Sequence, residues 1–464
     1  MRTTIPFVIS IIALTFQSCS TREQPNIIFI YADDWGYADL GCHGSTFIQT
    51  PNLDQMASEG IDFHNFSVSN PVCSPSRTAI ITGQFPARHS VHGHFASVES
   101  HIERNMPDWL DPDAPMLPRM LKNAGYTTGH FGKWHLSNNH VPDAPSPLQY
   151  GYDEYSCFNI SSQFRQMNAD SSIYKTIDFI ERNKDKAFFA NVWIHATHTP
   201  HYPKESYLDQ YSHLNEQQQV YAAITSEADY RIGLLFDKLK ELKLDEKTIV
   251  IFSSDNGPEI TGGSGKKIFK DNSTGLGYGT YYSVGETGGL KGRKRSLYAG
   301  GVRTPFIVRW PGVVPAGRID SSTALSGVDI LPTFIELAGA QLPESYNPDG
   351  ESILEAIKGQ DFTRKNAIYW QWLFPKINSH HWQTAGIQED NWKLLINEDT
   401  GIKELYDISV DWAEQQNLIT QFPKKAGILE TKIKQWEKTL PDQPNESCFS
   451  DQRIEIITKV TKPL

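Results

Sequence analysis

Two short acidic runs carry the first chemical signal. Asp33-Asp34 and Ser254-Asp255-Asn256-Gly257 supply three carboxylates and an amide, an all-oxygen donor set that suits Ca²⁺ or Mg²⁺ rather than zinc. Either run alone is ordinary turn chemistry, because Asp and Asn bond readily to their own backbone. Cys73-Ser74-Pro75-Ser76-Arg77 is rarer: average usage places a Cys-x-Pro-x-Arg string in about one chain of this length in fifty. On its own Cys73 reads as a small buried residue, but the chain also offers cations and imidazoles. Gly132-Lys133-Trp134-His135-Leu136 sets an ammonium and an imidazole two residues apart, on one side if the segment is extended. His195-Ala196-Thr197-His198-Thr199-Pro200-His201 is a histidine-rich turn, and Leu290-Lys291-Gly292-Arg293-Lys294-Arg295-Ser296 is a basic knot. Any anionic substrate has to be met by such local positive charge, since the chain as a whole is acidic.

The elements that would position these groups follow an α/β pattern. Segments 26–31 (NIIFIY), 187–194, 248–253 and 305–310 are short, near-continuous apolar runs, as expected of strands buried on both faces. Between them lie amphipathic helices. One covers 226–242, with Ile232, Leu235, Phe236 and Leu239 at helical spacing and Ser226 as N-cap; another covers 329–338. Alternating strands and helices predict a large, mainly parallel sheet sandwiched by helices. Asp33, Asp255 and the His195 turn each come directly after a strand, and ligand sites in open parallel sheets form outside the carboxyl ends of strands. A helix over 76–83 places Cys73 at a helix N-terminus, where the dipole favours negative charge. Beyond residue 341 the pattern changes: 367–372, 384–388 and 392–397 read as an antiparallel ribbon, followed by a helix over 423–440. The expected organisation is a main domain over 25–340 and a smaller C-terminal α+β subdomain, antiparallel sheet plus helix, over 341–464. There are no internal repeats, and 262–285 is a polar loop rich in Gly, Ser and Tyr.

Composition narrows the class. The chain has 464 residues, 39% hydrophobic and 21% charged, which excludes disorder, collagen-like repeats and a polytopic membrane protein. Its net charge of 43 − 54 = −11 argues against a nucleic-acid partner. Five cysteines, at 19, 42, 73, 157 and 448, form neither a disulfide scaffold nor a CxxC motif. Residues 1–19 read as an export signal: Met1-Arg2, an apolar run over 5–16, then Gln17-Ser18-Cys19. The run is too short to span a bilayer, which takes about 20 residues. A cysteine after a small residue at that point resembles a bacterial lipobox, so Cys19 is expected to be lipidated and to be the only membrane attachment. The expected location is the periplasm or outer membrane of a Gram-negative bacterium.

Taken together and in this order, the strings resemble the formylglycine-dependent sulfatases of the alkaline-phosphatase superfamily. The resemblance runs from Pro25 to about Asp411. It includes 26–44, 50–60, the CSPSR signature continuing into Thr82-Gly83, GKWHL, HTPHYP, SSDNG, GRKRSLYAGGVRTPFIVRWPG, 326–339 and ELYDIS. It implies that a formylglycine-generating or sulfatase-maturating enzyme converts Cys73 to Cα-formylglycine (3-oxoalanine), whose hydrated aldehyde is the nucleophile. Pro75 and Arg77 complete the recognition sequence, and Arg77 also stabilises the hydrate. One Ca²⁺, or Mg²⁺, is implied at Asp33, Asp34, Asp255, Asn256 and an oxygen of modified residue 73. Lys133, His198 and Lys294 are implied to grip the sulfate oxygens, with Lys291 and Arg293 near enough to compete with Lys294. His198 would protonate the departing alcohol. His135 would contact the hydrate and take a proton from its second hydroxyl, which expels sulfate and restores the aldehyde. A serine lacks that second hydroxyl.

Two other readings stay open at this stage: a phosphatase or phosphodiesterase of the same superfamily, which places Ser or Thr at position 73 and adds zinc ligands, and a non-catalytic glycan-binding lipoprotein. For the sulfatase reading, export and aromatic content suit a sulfated polysaccharide, such as ulvan or another algal polymer. His94, Trp109, His201, Trp372, His380, His381 and Trp382 are the candidates for sugar contacts.

Overall fold

The computed structural model describes residues 24–271, 275–375 and 377–461; the expected export signal and Cys19 lie outside the described residues. The main sheet is built from β1 (Asn26–Ala32), β2 (Ile61–Phe63), β3 (Thr127–Lys133), β4 (Glu154–Phe158), β5 (Phe188–Trp193), β6 (Thr248–Ser254), β7 (Phe306–Arg309) and β8 (Arg318–Asp320). Their order across the sheet is β8-β2-β7-β6-β1-β5-β3-β4. Only β7 runs antiparallel to its neighbours. This is the large, mostly parallel sheet the sequence predicts. The central strands β1, β5 and β6 are buried along their whole length, which explains their unbroken apolar runs.

Helices cover both faces. On one lie α1 (Pro51–Ser58), α3 (Ser172–Asn183) and α4 (Glu216–Glu241), which share a core with Ile28, Ile30, Val192 and Val250. On the other lie α2 (Cys73–Thr82) and α5 (Ile330–Leu337), packed with Ile27, Phe29, Phe189 and Ile251. The alternation of inward-pointing residues along β1 feeds both cores.

Two helix boundaries differ from expectation. Helix α4 begins ten residues earlier than 226, capped by the Asn215 side chain, which accepts from the N–H groups of Gln217 and Gln218. Ser226 is no cap: it sits mid-helix, buried, and its hydroxyl donates to the Gln49 carbonyl (2.7 Å). The first turns of α4 are polar (EQQQ), so hydrophobic spacing alone could not reach its true start. Helix α2 starts at Cys73 itself, not at 76, and ends at Gly83, whose φ of 65° supplies the left-handed cap.

The C-terminal region forms a four-stranded antiparallel sheet, β9 (Ile368–Gln371), β10 (Ala385–Glu389), β11 (Trp392–Ile396) and β12 (Lys403–Asp407), covered by α6 (Pro423–Glu437). The fourth strand was not anticipated; its KELYD sequence is half-buried and only weakly apolar. Trp370 and Tyr406 join the core of the main sheet, and the Trp370 indole donates to the Val68 carbonyl (2.8 Å). A last helix, α7 (Asp451–Thr461), is tied back through Arg453 to Asp108 (3.1 Å). Among the described residues, no helix is long and apolar enough to cross a membrane.

Candidate active site

Strands β1 and β6 lie side by side and parallel, with Ala32 opposite Ser254, so the Asp33-Asp34 and Asp255-Asn256 turns leave the sheet together. All four side chains are buried. Neighbouring residues of a continuing strand would point to opposite faces. Asp34 avoids that by taking a left-handed φ of 64°, a sparsely populated conformation for a non-glycine residue. The Asp34 N–H donates to Asp255 Oδ1 (3.2 Å) and Asn256 Nδ2 donates to Asp34 Oδ1 (2.7 Å), which binds the two turns together. Asp33 Oδ1 and Asn256 Oδ1 remain buried without a hydrogen-bond partner. Orphaned oxygens among three carboxylates fit a hard divalent cation. Ligand atoms of Asp33, Asp255 and Cys73 lie within 4.8 Å of one another, so residue 73 joins the same cluster.

Three cations face the carboxylates. Arg77, one turn into α2, is wholly buried and donates to Asp255 Oδ2 (2.5 Å), with Asp33 Oδ1 at 3.6 Å. Its guanidinium lies over the Trp193 ring, 4.8 Å from the centroid. Lys133 closes β3 and reaches Asp33 Oδ2 (2.6 Å). The preceding Gly132 has φ 115°, and a Cβ there would run into the Trp193 carbonyl oxygen. Only glycine lets β3 approach β5 so closely. Lys294 reaches Asp34 at 2.6 Å and Glu259 at 3.2 Å. Lys291 instead bonds Glu404 and the Tyr406 hydroxyl, and Arg293 donates to the carbonyls of Glu259 and Gly285. The structure thus separates the three basic residues that the sequence left in competition, and Lys294 is the one at the carboxylates.

Burial and the Asp33 charge push Asp255 up to about 7, even against Arg77. Burial also opposes the charge of Asp33, but Lys133 and its other cationic neighbours hold that carboxyl well below its usual range. The Cys73 thiol is pushed up by burial, although Lys133 and Lys294 pull the other way.

His198 Nδ1 lies 2.6 Å from the Thr199 carbonyl, which only accepts. The hydrogen is thereby assigned to Nδ1, leaving Nε2, 3.8 Å from Asp34 Oδ2, as the proton-exchanging nitrogen. Its side chain is 28% exposed and so reachable by a substrate. Burial, Lys133 and Lys294 lower it to about 4, partly offset by Asp33 and Asp34. His135 points Nε2 at the Phe95 carbonyl (2.9 Å), while its Nδ1 is buried and unpartnered. Here the extended reading of 133–135 fails: His135 has φ 54°, so the chain turns and the ring does not follow Lys133.

These groups form one cluster of oxygen ligands, cations and imidazoles near the start of α2. Comparison with known proteins identifies the family. The sulfatase family model matches residues 25–340, and a model of the N-sulphoglucosamine sulphohydrolase C-terminal region matches residues 285–440. The chain belongs to the sulfatase family. It is a hydrolase acting on sulfate esters. N-acetylgalactosamine-6-sulfatase of Canis lupus familiaris is 30% identical over 75% of this chain and 69% of its own length. N-acetylgalactosamine-6-O-sulfatase of Bacteroides thetaiotaomicron is 27% identical over 87% of this chain and 91% of its own. Among solved structures, Ps i-CgsB in complex with k-i-k-neocarrahexaose superposes with a TM-score of 0.74 at 26% identity, covering 94% of this chain and 97% of that one.

The candidate sugar-contact residues of this sulfatase divide sharply. Trp109 and Trp382 are packed into the protein: Trp109 lies with Val98, Val141 and Cys448, and the Trp382 indole donates to the Tyr298 hydroxyl (2.9 Å). Trp372 and His201 are buried as well. His94 and His380 are exposed and His381 is half-buried, and the His94 ring stands 6.3 Å from that of His135. Two residues at the site were missed as candidates from sequence. His195 places Nδ1 3.8 Å from Asp33 Oδ2, and buried Glu259 pairs with both Lys294 and Arg295. His195 was visible as part of the histidine-rich turn; Glu259 follows SSDNG by two residues and had no signal of its own.

Proposed function

We propose that this sulfatase removes sulfate esters from a sulfated carbohydrate, using residue 73 in its formylglycine form as the nucleophile and Ca²⁺ as its metal. The observation that carries the reading is the placement of Cys73 at the first turn of α2, against Asp33 and Asp255, which Lys133 and Lys294 and their partner carboxylates surround with charge. A cation held by Asp33, Asp34, Asp255, Asn256 and residue 73 would neutralise the carboxylates and lower the pKa of a hydroxyl beside it. Lys133, His198 and Lys294 would hold the sulfate oxygens, whose negative charge otherwise repels an attacking anion. His198 Nε2 would deliver the proton to the departing alcohol, while the Thr199 carbonyl keeps the ring oriented. A bound anion beside the ring raises its proton affinity again. His135, through Nδ1, would take the proton from the second hydroxyl of residue 73 as sulfate leaves. Arg77 would steady residue 73 one turn from the helix start.

The carbohydrate class rests on the relatives, which are named for N-acetylgalactosamine 6-sulfate and for a complex with a neocarrahexaose. A sulfated polysaccharide of glycosaminoglycan or algal type is the proposed polymer. Export, lipidation at Cys19, residence in the periplasm or outer membrane and maturation by a formylglycine-generating enzyme complete the proposal. The test is peptide mass and hydrazide labelling of active protein, combined with sulfate release from defined sulfated oligosaccharides. An aldehyde at residue 73 and loss of turnover in Cys73→Ala are expected; full turnover with wholly unmodified Cys73 would sink the mechanism. Faster turnover of a matched phosphate ester would favour a phosphatase.

A further inference from the structure

A second group of ligand-type side chains lies in the loop that leaves β1. Cys42, His43 and Asp62 bring one ligand atom each to within 4.8 Å of one another, and His64 Nε2 lies 3.3 Å from Asp62 Oδ2. Cys42 and His43 belong to the single turn Gly41–His43, Asp62 to β2, and His64 directly follows β2.

His43 fixes the hydrogen positions. Its Nδ1 lies 2.7 Å from the Tyr37 carbonyl, which can only accept, so Nδ1 carries a hydrogen. Its Nε2 lies 2.8 Å from Asp62 Oδ2. In a neutral ring that places a lone pair against a carboxylate, so a positive charge belongs between the two atoms, either a second proton or a metal ion. His64 approaches the same carboxylate: its Nδ1 faces the Ser321 hydroxyl (3.5 Å), which can donate or accept, while Nε2 lies 3.3 Å from Asp62 Oδ2. Asp62 is 3% exposed, and its Oδ1 is buried and unpartnered. His43 is thus held through Nδ1 by an outer carbonyl, as metal-ligating histidines are, and both imidazoles turn Nε2 toward Asp62. Tyr37 stacks on the His43 ring and meets the His64 ring edge-on, which restrains both.

The donors are two nitrogens, a carboxylate oxygen and a sulfur, a set that selects Zn²⁺ over Ca²⁺. Metal–ligand bonds of about 2.0–2.3 Å at a tetrahedral angle place ligand atoms about 3.4 Å apart. The two spacings to Asp62 Oδ2, 2.8 and 3.3 Å, need only slight widening, while the Cys42 sulfur, within 4.8 Å of the His43 and Asp62 atoms, and the His64 ring must close in on the ion. Cys42 is exposed and the His64 side chain is 25% exposed, which leaves an entry path. We propose that Cys42, His43, Asp62 and His64 form a zinc site that pins the loop after Asp33-Asp34 to β2. Metal uptake displaces the Cys42 thiol proton to solvent as the sulfur–metal bond forms. The site shares no residue with the carboxylate cluster.

The test uses the full chain carrying Cys73→Ser, which removes the other thiol near carboxylates, with Co²⁺ alone as the spectroscopic probe and Zn²⁺ as competitor. One equivalent of Co²⁺ is expected to give a thiolate-to-cobalt charge-transfer band and tetrahedral ligand-field bands, displaced by one equivalent of Zn²⁺. Cys42→Ser, an exposed change that leaves the fold intact by unchanged metal-free melting, should abolish the charge-transfer band, and His64→Gln should weaken uptake at least tenfold. Asp255→Asn should keep both bands. Absence of a thiolate band, or a band that survives Cys42→Ser, would overturn the proposal and leave His43, Asp62 and His64 as a proton-bridged cluster.

Discussion

At the level of single residues, the proposed mechanism separates groups that hold charge from groups that move protons. Asp33 and Asp34 are each engaged by a lysine at 2.6 Å, while Asn256 offers an oxygen with no partner. An oxygen set of this kind predicts that chelation abolishes sulfate release and that Ca²⁺ restores it better than Zn²⁺. Full turnover after exhaustive chelation would remove Asp33, Asp34, Asp255 and Asn256 from the ligand role. His198 is the residue whose Nε2 is free to exchange a proton. His198→Ala is expected to slow cleavage of a sugar sulfate by about 10²–10⁴-fold, the usual worth of general acid–base help. It should slow a nitrophenyl sulfate far less, because that leaving group needs no proton. Equal losses on both substrates would leave His198 as a sulfate ligand only. Cys73 and Arg77 were legible from their motif alone, whereas Glu259 was not. A carboxylate that pairs with two basic residues more than thirty positions away leaves no local trace.

Elements decide where those residues point. Gly132 permits the close approach of β3 to β5, and the left-handed turns at Asp34 and His135 redirect side chains that strand geometry would have sent elsewhere. Neither turn is a glycine, so neither could be read from composition. The C-terminal helix α6 carries a separate, testable charge. Glu437, its last residue, is pushed up to about 7 by burial and by the nearby charge of Glu398. For an acid whose folded pKa is raised, the associated stability is fully present below its unfolded value, near 4.5, and is lost as pH rises through about 7. Glu437→Gln is therefore expected to raise the melting temperature at pH 8 and to change it little at pH 5. The gain at pH 8 should be on the order of 1 kcal/mol after allowance for solvent screening. Thermal melts of both proteins at the two pH values check this, and an equal shift at both would refute the ionisation argument.

At the scale of the whole molecule, the C-terminal sheet is not an appendage. Trp370 and Tyr406 enter the core shared with Val68 and Ile80, and Asn70, close before Cys73, donates to the Gln371 carbonyl (2.9 Å). Trp370→Ala is expected to cost about 3–5 kcal/mol, the range for removing a buried tryptophan, and to lower the denaturation midpoint in one cooperative transition. A second, separate transition would show that the sheet folds independently of the rest. The sequence by itself determined the fold class, the parallel core strands, the placement of acidic and histidine turns at strand ends and the family signature. Each of these is written in local pattern: apolar run length, motif spacing and chain order. Only the tertiary structure decided which of Lys291, Arg293 and Lys294 meets the carboxylates, that Trp109 and Trp382 serve packing, that His195 and Glu259 stand at the site, and that Cys42 and His43 meet Asp62 and His64. Those outcomes depend on long-range approach of side chains across the sheet, where burial, charge pairing and backbone turns choose among residues that look alike in sequence.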